Sequence, residues 1–362
     1  MNTAKTICVG LSGGVDSSVS AALLKDQGYD IVGVFIRGWY PDFIECSWKE
    51  DRRDAMRVCA TLDIPFKECN LEDTYKKEVV DYMIEEYKAG RTPNPDVMCN
   101  QFVKFGAFLD WALEDGAGGV ATGHYARIEE DNGEYQLLAG VDKNKDQSYF
   151  LWTLTQQQLS HIIFPVGGME KSSVRKIAEG RGLITADKKD SQGLCFIGHV
   201  DIPEFLSHFI DLTPGEVCDT SGDVIGTHIG AEAYTIGQRH GFKVTKKNPD
   251  DGPHYVYKKD VENNRIYVTR DKTKASALFN ASTLILEDVN WIPHTPEEGE
   301  YSVRTRYRQP LEPCKLSHLD GEWTITFDTP HKAVAQGQSC VLYKDDCVIG
   351  GGVISEILDQ KE

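Results

Sequence analysis

The sequence predicts an α/β protein with a parallel-sheet N-terminal domain, a small β-rich central domain and a C-terminal β-barrel. Over about the first 200 residues, short apolar runs alternate with amphipathic runs, which is typical of a parallel sheet wound by helices. After Leu212 the runs are short, and turn signals such as Pro214-Gly215 separate them, which favours β structure. We therefore predict domains at 1–205, 206–276 and 277–362.

Each domain is predicted from its own elements. The first has strands at 6–11, 31–36, 64–69 and 119–123 and helices at 17–28, 49–62, 73–89 and 100–115. Ligands of such sheets bind at the carboxyl ends of the strands, so the turn after the first strand is a candidate site. In the last domain, Asp320-Gly321 and Asp345-Asp346 each predict a hairpin turn, and a closed barrel accommodates the strands around them.

The turn after the first strand has the sequence Ser12-Gly13-Gly14-Val15-Asp16-Ser17, which is suited to binding phosphate. The glycines let the backbone approach an anion, and the N-terminus of the following helix offers free N–H groups. The two serine hydroxyls add donors for phosphate oxygens. Asp16 is placed either to cap the helix or to hold Mg²⁺ through water.

This loop contains no lysine, unlike the G-x-x-x-x-G-K-[ST] loop, whose lysine contacts the β- and γ-phosphates. We therefore expect ATP to be cleaved between its α- and β-phosphates. The loop resembles that of the PP-loop ATP pyrophosphatases, the adenine nucleotide α-hydrolase-like enzymes, which adenylate an oxygen of their substrate and release pyrophosphate. A glycine-rich turn that binds no ligand is the alternative.

The composition is that of a soluble globular protein, with 40% apolar and 26% charged residues among 362. No apolar run approaches the roughly 18 residues that a membrane-spanning helix needs, and we expect no signal peptide, because the first residues lead directly into a predicted core strand. The ten cysteines are irregularly spaced and include no pair or cluster with zinc spacing. We therefore expect a cytoplasmic protein with reduced cysteines, no membrane partner and no dedicated metal site.

The formal net charge of −17 argues mildly against a nucleic-acid partner, because affinity for phosphates comes from Lys and Arg. The basic residues are nevertheless concentrated between Gly237 and Lys274 and at Arg304, Arg306 and Arg308. Arginines that alternate along a strand would project from one face, as on a surface that binds RNA. A solvated sheet face is the alternative.

Cys99 and Cys195 are the two cysteines whose surroundings are not those of a core residue. Cys99 follows Asn94-Pro95-Asp96 at the predicted start of a helix, whose N-terminal field favours the thiolate. Asp96 can cap that helix or accept a proton beside the sulfur. An inert buried cysteine in a capped helix is the alternative.

Cys195 lies between Gly193 and Gly198 and follows Lys188-Lys189. The glycines allow this loop to swing, and the lysines favour a thiolate. A strand cysteine packed beside its apolar neighbours is the alternative. Two activated cysteines near an adenylating loop indicate sulfur transfer, in which one carries a persulfide and the other resolves it.

Several motifs occur in one order along the chain, namely Ser12–Ser17, Asn94–Asn100, Gly123–Ala126, Lys145–Phe150, Gly193–Gly198 and Ala335–Ser339. Together they resemble the bacterial tRNA-specific 2-thiouridylases, the MnmA or TrmU family, over essentially the whole chain. The resemblance implies a PP-loop ATP-binding catalytic domain, a small central domain and a tRNA-binding barrel. It also implies formation of 2-thiouridine at wobble position 34, in the anticodon stem-loops of the tRNAs for Lys, Glu and Gln.

The resemblance further implies roles for individual residues. ATP, with Mg²⁺ on its phosphates, would contact Gly10, Leu11, Ser12, Gly13, Gly14, Val15, Asp16, Ser17, Ile36 and Gly123. The target base would contact Asn94, Pro95 and Asp96, and the rest of the tRNA would contact His124, Lys145, Asp146, Gln147, Arg306, Tyr307, Arg308 and Gln338. Cys99 would be the nucleophile, assisted in proton transfer by Asp96. Cys195 would carry the persulfide that a cysteine desulfurase or a sulfur relay delivers.

Two routes for the sulfur stay open at this stage. The persulfide can attack C2 of the adenylated uridine, after which Cys99 forms a disulfide with Cys195, or Cys99 can release free sulfide, which then attacks. A small-molecule PP-loop ligase and a module that binds ATP only structurally are the rival functions. The ligase would leave the two cysteines and the basic β-rich domains without a task, and the module predicts that no pyrophosphate is released. The segment 39–48 departs from the family pattern, and we interpret its Cys46 as an unreactive loop cysteine.

Overall fold

The computed structural model describes residues 6–44, 48–190, 193–198, 200–245, 252–270, 281–331 and 334–359. The interpretation of Cys46 lies outside these ranges, as do Lys246, Lys247, Lys272 and Lys274 of the predicted basic region.

The α-helices in these ranges are α1 (Val15–Asp26), α2 (Trp48–Leu62), α3 (Glu72–Tyr75), α4 (Tyr82–Lys88), α5 (Pro95–Met98), α6 (Phe108–Glu114), α7 (Gln156–Leu159), α8 (Lys171–Gly180) and α9 (Ile202–Ser207). Two π-helical segments, Lys76–Asp81 and Cys99–Ala107, join α3 to α4 and α5 to α6. Short 3₁₀ turns occur at Ser148–Phe150 and Ala231–Ala233.

The strands are β1 (Ile7–Gly10), β2 (Ile31–Arg37), β3 (Phe66–Asn70), β4 (Gly119–Ala121), β5 (Ala126–Asp131), β6 (Glu134–Ala139), β7 (Ile162–Ile163), β8 (Gly215–Cys218), β9 (Val224–His228), β10 (Lys243–Val244), β11 (Tyr255–Asp260), β12 (Arg265–Thr269), β13 (Ala281–Trp291), β14 (Gly299–Arg304), β15 (Glu312–Leu319), β16 (Glu322–His331), β17 (Ser339–Lys344) and β18 (Cys347–Asp359).

The N-terminal part contains a parallel sheet in the order β3-β2-β1-β4-β7, which confirms the predicted fold class. Alternate residues of a strand face opposite sides of the sheet, so Cys8 and Val34 join one core while Val9 and Phe35 join the other. Helices cover both faces, which explains why the inner strands β1, β2 and β4 are largely apolar, whereas the edge strand β3 is not. The carboxyl ends of β1, β2 and β4 meet at one edge, beside the 11–14 loop.

The predicted helices 73–89 and 100–115 are both composite. The first consists of α3, the π segment and α4. The second starts earlier than predicted, because Pro95 occupies the first turn of α5, where its fixed φ and missing N–H suit a helix start. It then continues through Cys99–Ala107 into α6. Residue 99 therefore lies inside the helix rather than at its beginning.

The central part contains a five-stranded sheet in the order β10-β9-β8-β12-β11. The six strands β13 to β18 form a closed antiparallel barrel, in the order β13-β16-β15-β14-β17-β18 with β18 pairing back to β13. The hairpins predicted at Asp320-Gly321 and Asp345-Asp346 connect β15 to β16 and β17 to β18. The hairpin β5–β6, which the sequence did not predict, pairs with β18 and joins the N-terminal part to the barrel.

The domain limits stay a prediction. The limit at 276/277 lies outside the described residues, and the limit at 205/206 falls within α9. None of the helices in the described ranges combines the length and the apolar character needed to cross a membrane.

The expected alternation of arginines along a strand is wrong. Strand β14 ends at Arg304, and the chain then turns, with Arg308 in the left-handed region at a φ of +63°. The Gln309 side-chain oxygen closes this turn by accepting hydrogen bonds from the N–H (3.3 Å) and the hydroxyl (3.0 Å) of Thr305. Arg306 and Arg308 therefore belong to a loop at the end of the barrel strand.

Candidate active site

The loop between β1 and α1 has the geometry of an anion cradle. Gly13 has a φ of +71° and lies so close to α2 that an added Cβ would come within 2.5 Å of the Asp51 carbonyl oxygen. The Ser17 hydroxyl accepts a hydrogen bond from the N–H of Ser12 (3.2 Å), and no side chain caps α1 at its N-cap residue, Gly14. The start of α1 is therefore suited to an anionic ligand.

The other residues predicted to bind ATP lie at the same edge of the sheet. Gly123 follows β4, and an added Cβ there would come within 2.6 Å of the Ser17 nitrogen. Ile36 lies near the end of the neighbouring strand β2. Leu11 and Val15 have buried side chains, so only their backbone groups are available to a nucleotide. Contact of all these residues with ATP stays a prediction.

Asp16 forms an ion pair that the sequence did not predict. Both of its carboxylate oxygens lie 2.7 Å from Nζ of Lys171, and the Tyr125 hydroxyl donates a further hydrogen bond at 2.8 Å. The expectation that Asp16 caps α1 is wrong, because Lys171 and Tyr125 hold its carboxylate. Among the described residues, no group of three or more His, Cys, Asp and Glu side chains is arranged to hold a metal ion.

Lys171 supplies the cation that the loop itself lacks. It is the first residue of α8, is buried, and also contacts Asp190 at 2.8 Å. Asp190 accepts further ion pairs from Lys145 (2.6 Å) and Arg175 (2.8 Å). Burial acts to raise the pKa of Asp190, but its lysine partners lower that pKa to about 2. No local sequence signal distinguishes Lys171, since its partner Asp16 lies 155 positions away.

The structure brings Asp96, Cys99 and Cys195 together. The thiols of the two cysteines are neighbours, and the Asp96 carboxylate accepts a hydrogen bond from the backbone N–H of Cys195 (3.3 Å). The Tyr75 hydroxyl donates to the carbonyl oxygen of Cys195 (2.6 Å), and Nζ of Lys104 lies 3.4 Å from its sulfur. Cys99 is fully buried, whereas Cys195 is partly exposed.

Cys195 lies in a tight turn rather than in a strand, so the strand alternative is wrong. Leu194 and Gly198 exchange two backbone hydrogen bonds, of 2.9 and 2.8 Å. Phe196 has a φ of +67° and packs against Gly38, directly after β2, where an added Cβ would come within 3.0 Å of the Phe196 ring. The turn therefore lies over the carboxyl edge of the parallel sheet.

The expected effect of the helix N-terminus on Cys99 is also wrong. The helix begins at Pro95, and Cys99 comes after its first turn, to which the field of the helix dipole is largely confined. Asp96 does not cap this helix either, because the N-cap residue is Asn94 and no side-chain cap bond is formed. The Asp96 carboxylate instead faces Cys195.

The lysine beside Cys195 is a different one from that expected. Lys188 is held by two carboxylates of α2, those of Asp51 and Asp54, each at 2.8 Å. The hydrogen bond with Cys99, burial and the charge of a nearby carboxylate raise the pKa of Cys195 well above its ordinary value. The expectation of a lowered pKa is therefore wrong for the resting site, although one cation, Lys104, does act to lower it.

Two of the residues predicted to contact tRNA are buried. His124 packs against the rings of Phe105 and Phe164, and burial together with the charge of a nearby lysine holds its pKa well below the ordinary value. The Asp146 carboxylate accepts hydrogen bonds from two backbone N–H groups and an ion pair from Arg304 of β14 (2.6 Å). Both side chains stabilise the fold here, and their contact with tRNA stays a prediction.

Other predicted tRNA residues lie where the barrel meets the Cys99 segment. Gln338 donates from its side-chain amide to the carbonyl oxygens of Thr92 (3.0 Å) and Pro93 (2.8 Å). Asn94 is buried, whereas Pro95 is partly exposed. Gln338 therefore helps to position the residues that precede α5.

The remaining predicted tRNA residues lie nearer the surface. The Gln147 side chain accepts a hydrogen bond from the backbone N–H of Tyr125 (3.0 Å). Arg306 donates to the carbonyl oxygen of Ile236 (2.8 Å), and burial lowers its pKa. Arg308 is exposed, with its guanidinium 5.1 Å from the ring centre of Tyr307. Among these residues Arg308 is the most accessible to a nucleic acid.

Four other cysteines have the properties of core residues. Burial raises the pKa of Cys8 and Cys59 to about 11 and that of Cys69 and Cys314 to about 12. All four are buried, which confirms their structural interpretation. The pair of Cys99 and Cys195 differs from them because a cation and a carboxylate are adjacent to it.

Comparison with known proteins covers nearly the whole chain. Residues 5–199 match the family described as the tRNA methyl transferase HUP domain, residues 203–270 its PRC-barrel domain, and residues 281–354 the aminomethyltransferase β-barrel domain. The tRNA-specific 2-thiouridylase MnmA of Geobacillus thermodenitrificans is 47% identical over 98% of this chain and 96% of its own length. Its counterpart in Idiomarina loihiensis is 44% identical, over 98% and 97%.

Among solved structures, a 4-thiouridine synthetase bound to RNA and ATP matches with a TM-score of 0.34 at 21% identity. The match covers 57% of this chain and 51% of that one.

Proposed function

The chain belongs to the family of tRNA-specific 2-thiouridylases, and we propose that it replaces the C2 oxygen of wobble uridine 34 in tRNA by sulfur at the expense of ATP. The observation that carries the proposal is the contact between the thiols of Cys99 and Cys195 beside Asp96. This pair lies at the sheet edge that also holds the 12–17 loop. Methyl transfer, the activity named for two of the matched domains, would leave both the thiol pair and the loop without a task.

The loop and the start of α1 bind ATP in this proposal. The C2 oxygen of the base attacks the α-phosphorus, and the bond to pyrophosphate breaks, which leaves an adenylated uridine. The backbone N–H groups of Gly13 and Gly14 and the ammonium of Lys171 stabilise the departing charge. Mg²⁺ bound to the nucleotide would neutralise part of the phosphate charge. Both oxygens of Asp16 are bonded to Lys171, so we propose that the phosphates, and no dedicated protein site, would hold this ion.

Sulfur transfer then uses the two thiols. The terminal sulfur of a persulfide on Cys195 attacks C2 of the adenylated base. The thiolate of Cys99 attacks the inner sulfur, so that the S–S bond to the transferred sulfur breaks and a disulfide between the two cysteines forms. The freed electron pair stays on the transferred sulfur, and AMP leaves from C2. A thiol reductant supplies two electrons to restore both cysteines before the next cycle.

The tRNA has to present its base to a recessed site. Uridine 34 must leave its stack, at a cost of a few kcal/mol that an anticodon loop reduces because its bases are partly unstacked already. The exposed Arg308 and the ring of Tyr307 supply a cation and a stacking surface on the barrel side. We propose the tRNAs for Lys, Glu and Gln as substrates and a cysteine desulfurase or sulfur relay as donor.

The test is a reconstituted reaction. The protein is incubated with ATP, Mg²⁺, unmodified tRNA and a cysteine desulfurase with cysteine, and 2-thiouridine, AMP and pyrophosphate are measured. Cys99→Ser and Cys195→Ser should each abolish 2-thiouridine while tRNA affinity stays nearly unchanged. Cys347→Ser is the matched control, since Cys347 is also partly exposed and lies in the barrel.

The outcomes separate the proposal from its rivals. Turnover by either active-site variant at the wild-type rate would rule out the two-thiol scheme. Absence of AMP formation with any tRNA would favour a module that uses ATP only structurally. Free sulfide, used as a second sulfur donor, separates the two sulfur routes. If sulfide itself attacks C2, it should restore turnover to Cys195→Ser. If the persulfide on Cys195 attacks C2, this variant should stay inactive with sulfide.

A further inference from the structure

The segment Cys99–Ala107 is π-helical, and this places Lys104 on the same face as Cys99. In a π-helix residue i bonds to residue i+5, and with about 4.4 residues per turn side chains five positions apart lie only roughly 50° apart around the axis, on one face. In an α-helix with 3.6 residues per turn, the same two residues would lie roughly 140° apart around the axis. Nine residues of this geometry are long for an element that usually occurs as a single turn, frequently at functional sites.

The ammonium group of Lys104 contacts the reacting sulfur. Its Nζ lies 3.4 Å from Sγ of Cys195, which makes Cys195 its hydrogen-bond acceptor. Among the described residues, no carboxylate comes within ion-pair distance of this ammonium, whereas Lys171 and Lys188 of the same region each contact two carboxylates. The positive charge is therefore available to the thiols.

The charges around Lys104 agree with this geometry. Removal from water acts to lower its pKa, but the electrostatic interactions with Cys195, Cys99 and Asp96 outweigh this, and the pKa is raised. Within the described part of the chain, its other titratable neighbours include Tyr75, which donates to the Cys195 carbonyl, and His124, which burial and Lys104 itself keep neutral. The other groups beside the thiols are thus neutral or, like Asp96, negative.

We propose that Lys104 is a further catalytic residue, whose ammonium group stabilises the sulfur anions of Cys195 and Cys99 during sulfur transfer. The inference rests on the proposed function. A thiolate at Cys195 attacks the outer sulfur of a donor persulfide, the donor S–S bond breaks and the donor leaves as a thiolate that takes up a proton. Later, Cys99 attacks as a thiolate. In both steps the negative charge develops within reach of Lys104, in a site where burial and Asp96 oppose it.

The test measures thiol reactivity without tRNA, ATP or a sulfur donor, so its result does not depend on the proposed function. The rate of alkylation of Cys195 by iodoacetamide is followed by peptide mass spectrometry between pH 6 and 10, in the full-length protein. Lys104→Met removes the charge and keeps much of the volume, and Lys104→Arg keeps the charge. Lys176→Met, which changes an exposed lysine on α8, is the matched control.

We expect Lys104→Met to slow alkylation at neutral pH by about tenfold or more, with the rate recovering at high pH because the thiolate then forms without help. Lys104→Arg should keep a profile close to wild type, as should the control. An unshifted profile in Lys104→Met would overturn the proposal. Faster alkylation at every pH would overturn it as well, since the lysine would then only shield the thiol.

Discussion

Replacing Gly123 by alanine tests how closely the chain after β4 approaches the nucleotide loop. The added Cβ would lie 2.6 Å from the backbone nitrogen of Ser17 and 2.8 Å from the carbonyl carbon of Asp16. Both atoms are backbone atoms at the start of α1, so neither can rotate away. One segment has to shift by several tenths of an ångström, and overpacking of this kind costs about 1–3 kcal/mol. If the loop shifts, ATP affinity should fall by roughly 5- to 150-fold.

The assay is calorimetric titration of the protein with a non-hydrolysable ATP analogue, alongside urea unfolding. Gly168→Ala is the matched control, because an added Cβ there meets nothing within 4 Å. The control should bind the analogue like the wild-type protein. Gly123→Ala should lose affinity for the analogue and keep its affinity for tRNA. Unchanged binding of the analogue by Gly123→Ala would refute the assignment of the nucleotide to this edge.

Two further predictions concern charged side chains. Arg304→Met should lower the free energy of unfolding in urea by about 3–5 kcal/mol. The reason is that the Asp146 carboxylate, whose side chain is 1% exposed, loses its counter-charge. A loss below about 1 kcal/mol would contradict this prediction. The lysine partners of Asp190 outweigh the effect of its burial and hold its folded pKa at about 2, below the value of about 3.9 in an unfolded chain. Its ionised form therefore stabilises the fold above pH 4, and this contribution is lost as the pH falls toward 2. Asp190→Asn should flatten unfolding free energy against pH in that window, and an equally steep profile would contradict the assignment.

The fold class and the location of the site followed from local sequence signals. An apolar run, a Gly-Gly turn and an amphipathic run are adjacent in the chain, so the strand, the loop of Gly13 and helix α1 were predictable without any distant contact. The hairpin turns at Asp320 and Asp345 are equally local, and both have a positive φ that aspartate tolerates. The pairing of Cys99 with Cys195 was predicted from their unusual surroundings and from the family resemblance.

The electrostatics of the site could not be predicted, because they depend on contacts between distant segments. Lys188 was expected beside Cys195 since only a few residues separate them, yet it pairs with α2. Lys104 contacts Cys195, 91 positions later in the chain, Lys171 contacts Asp16, 155 positions earlier, and neither lysine carries a local signal of its own. The π-helical register was also hidden, because over nine residues its apolar spacing is too close to that of an α-helix to distinguish them.

The segment that leads into the Cys99 helix is held from two sides, by the barrel and by the central part. Its Thr92 backbone N–H donates to the Gln336 carbonyl of the barrel (2.8 Å), while the Thr92 hydroxyl bonds to that of Thr235 in the central part (2.6 Å). Gln338 adds two hydrogen bonds from the barrel to the same backbone. The hydrogen bonds of Gln338 therefore tie the barrel to the backbone that sets the position of Cys99.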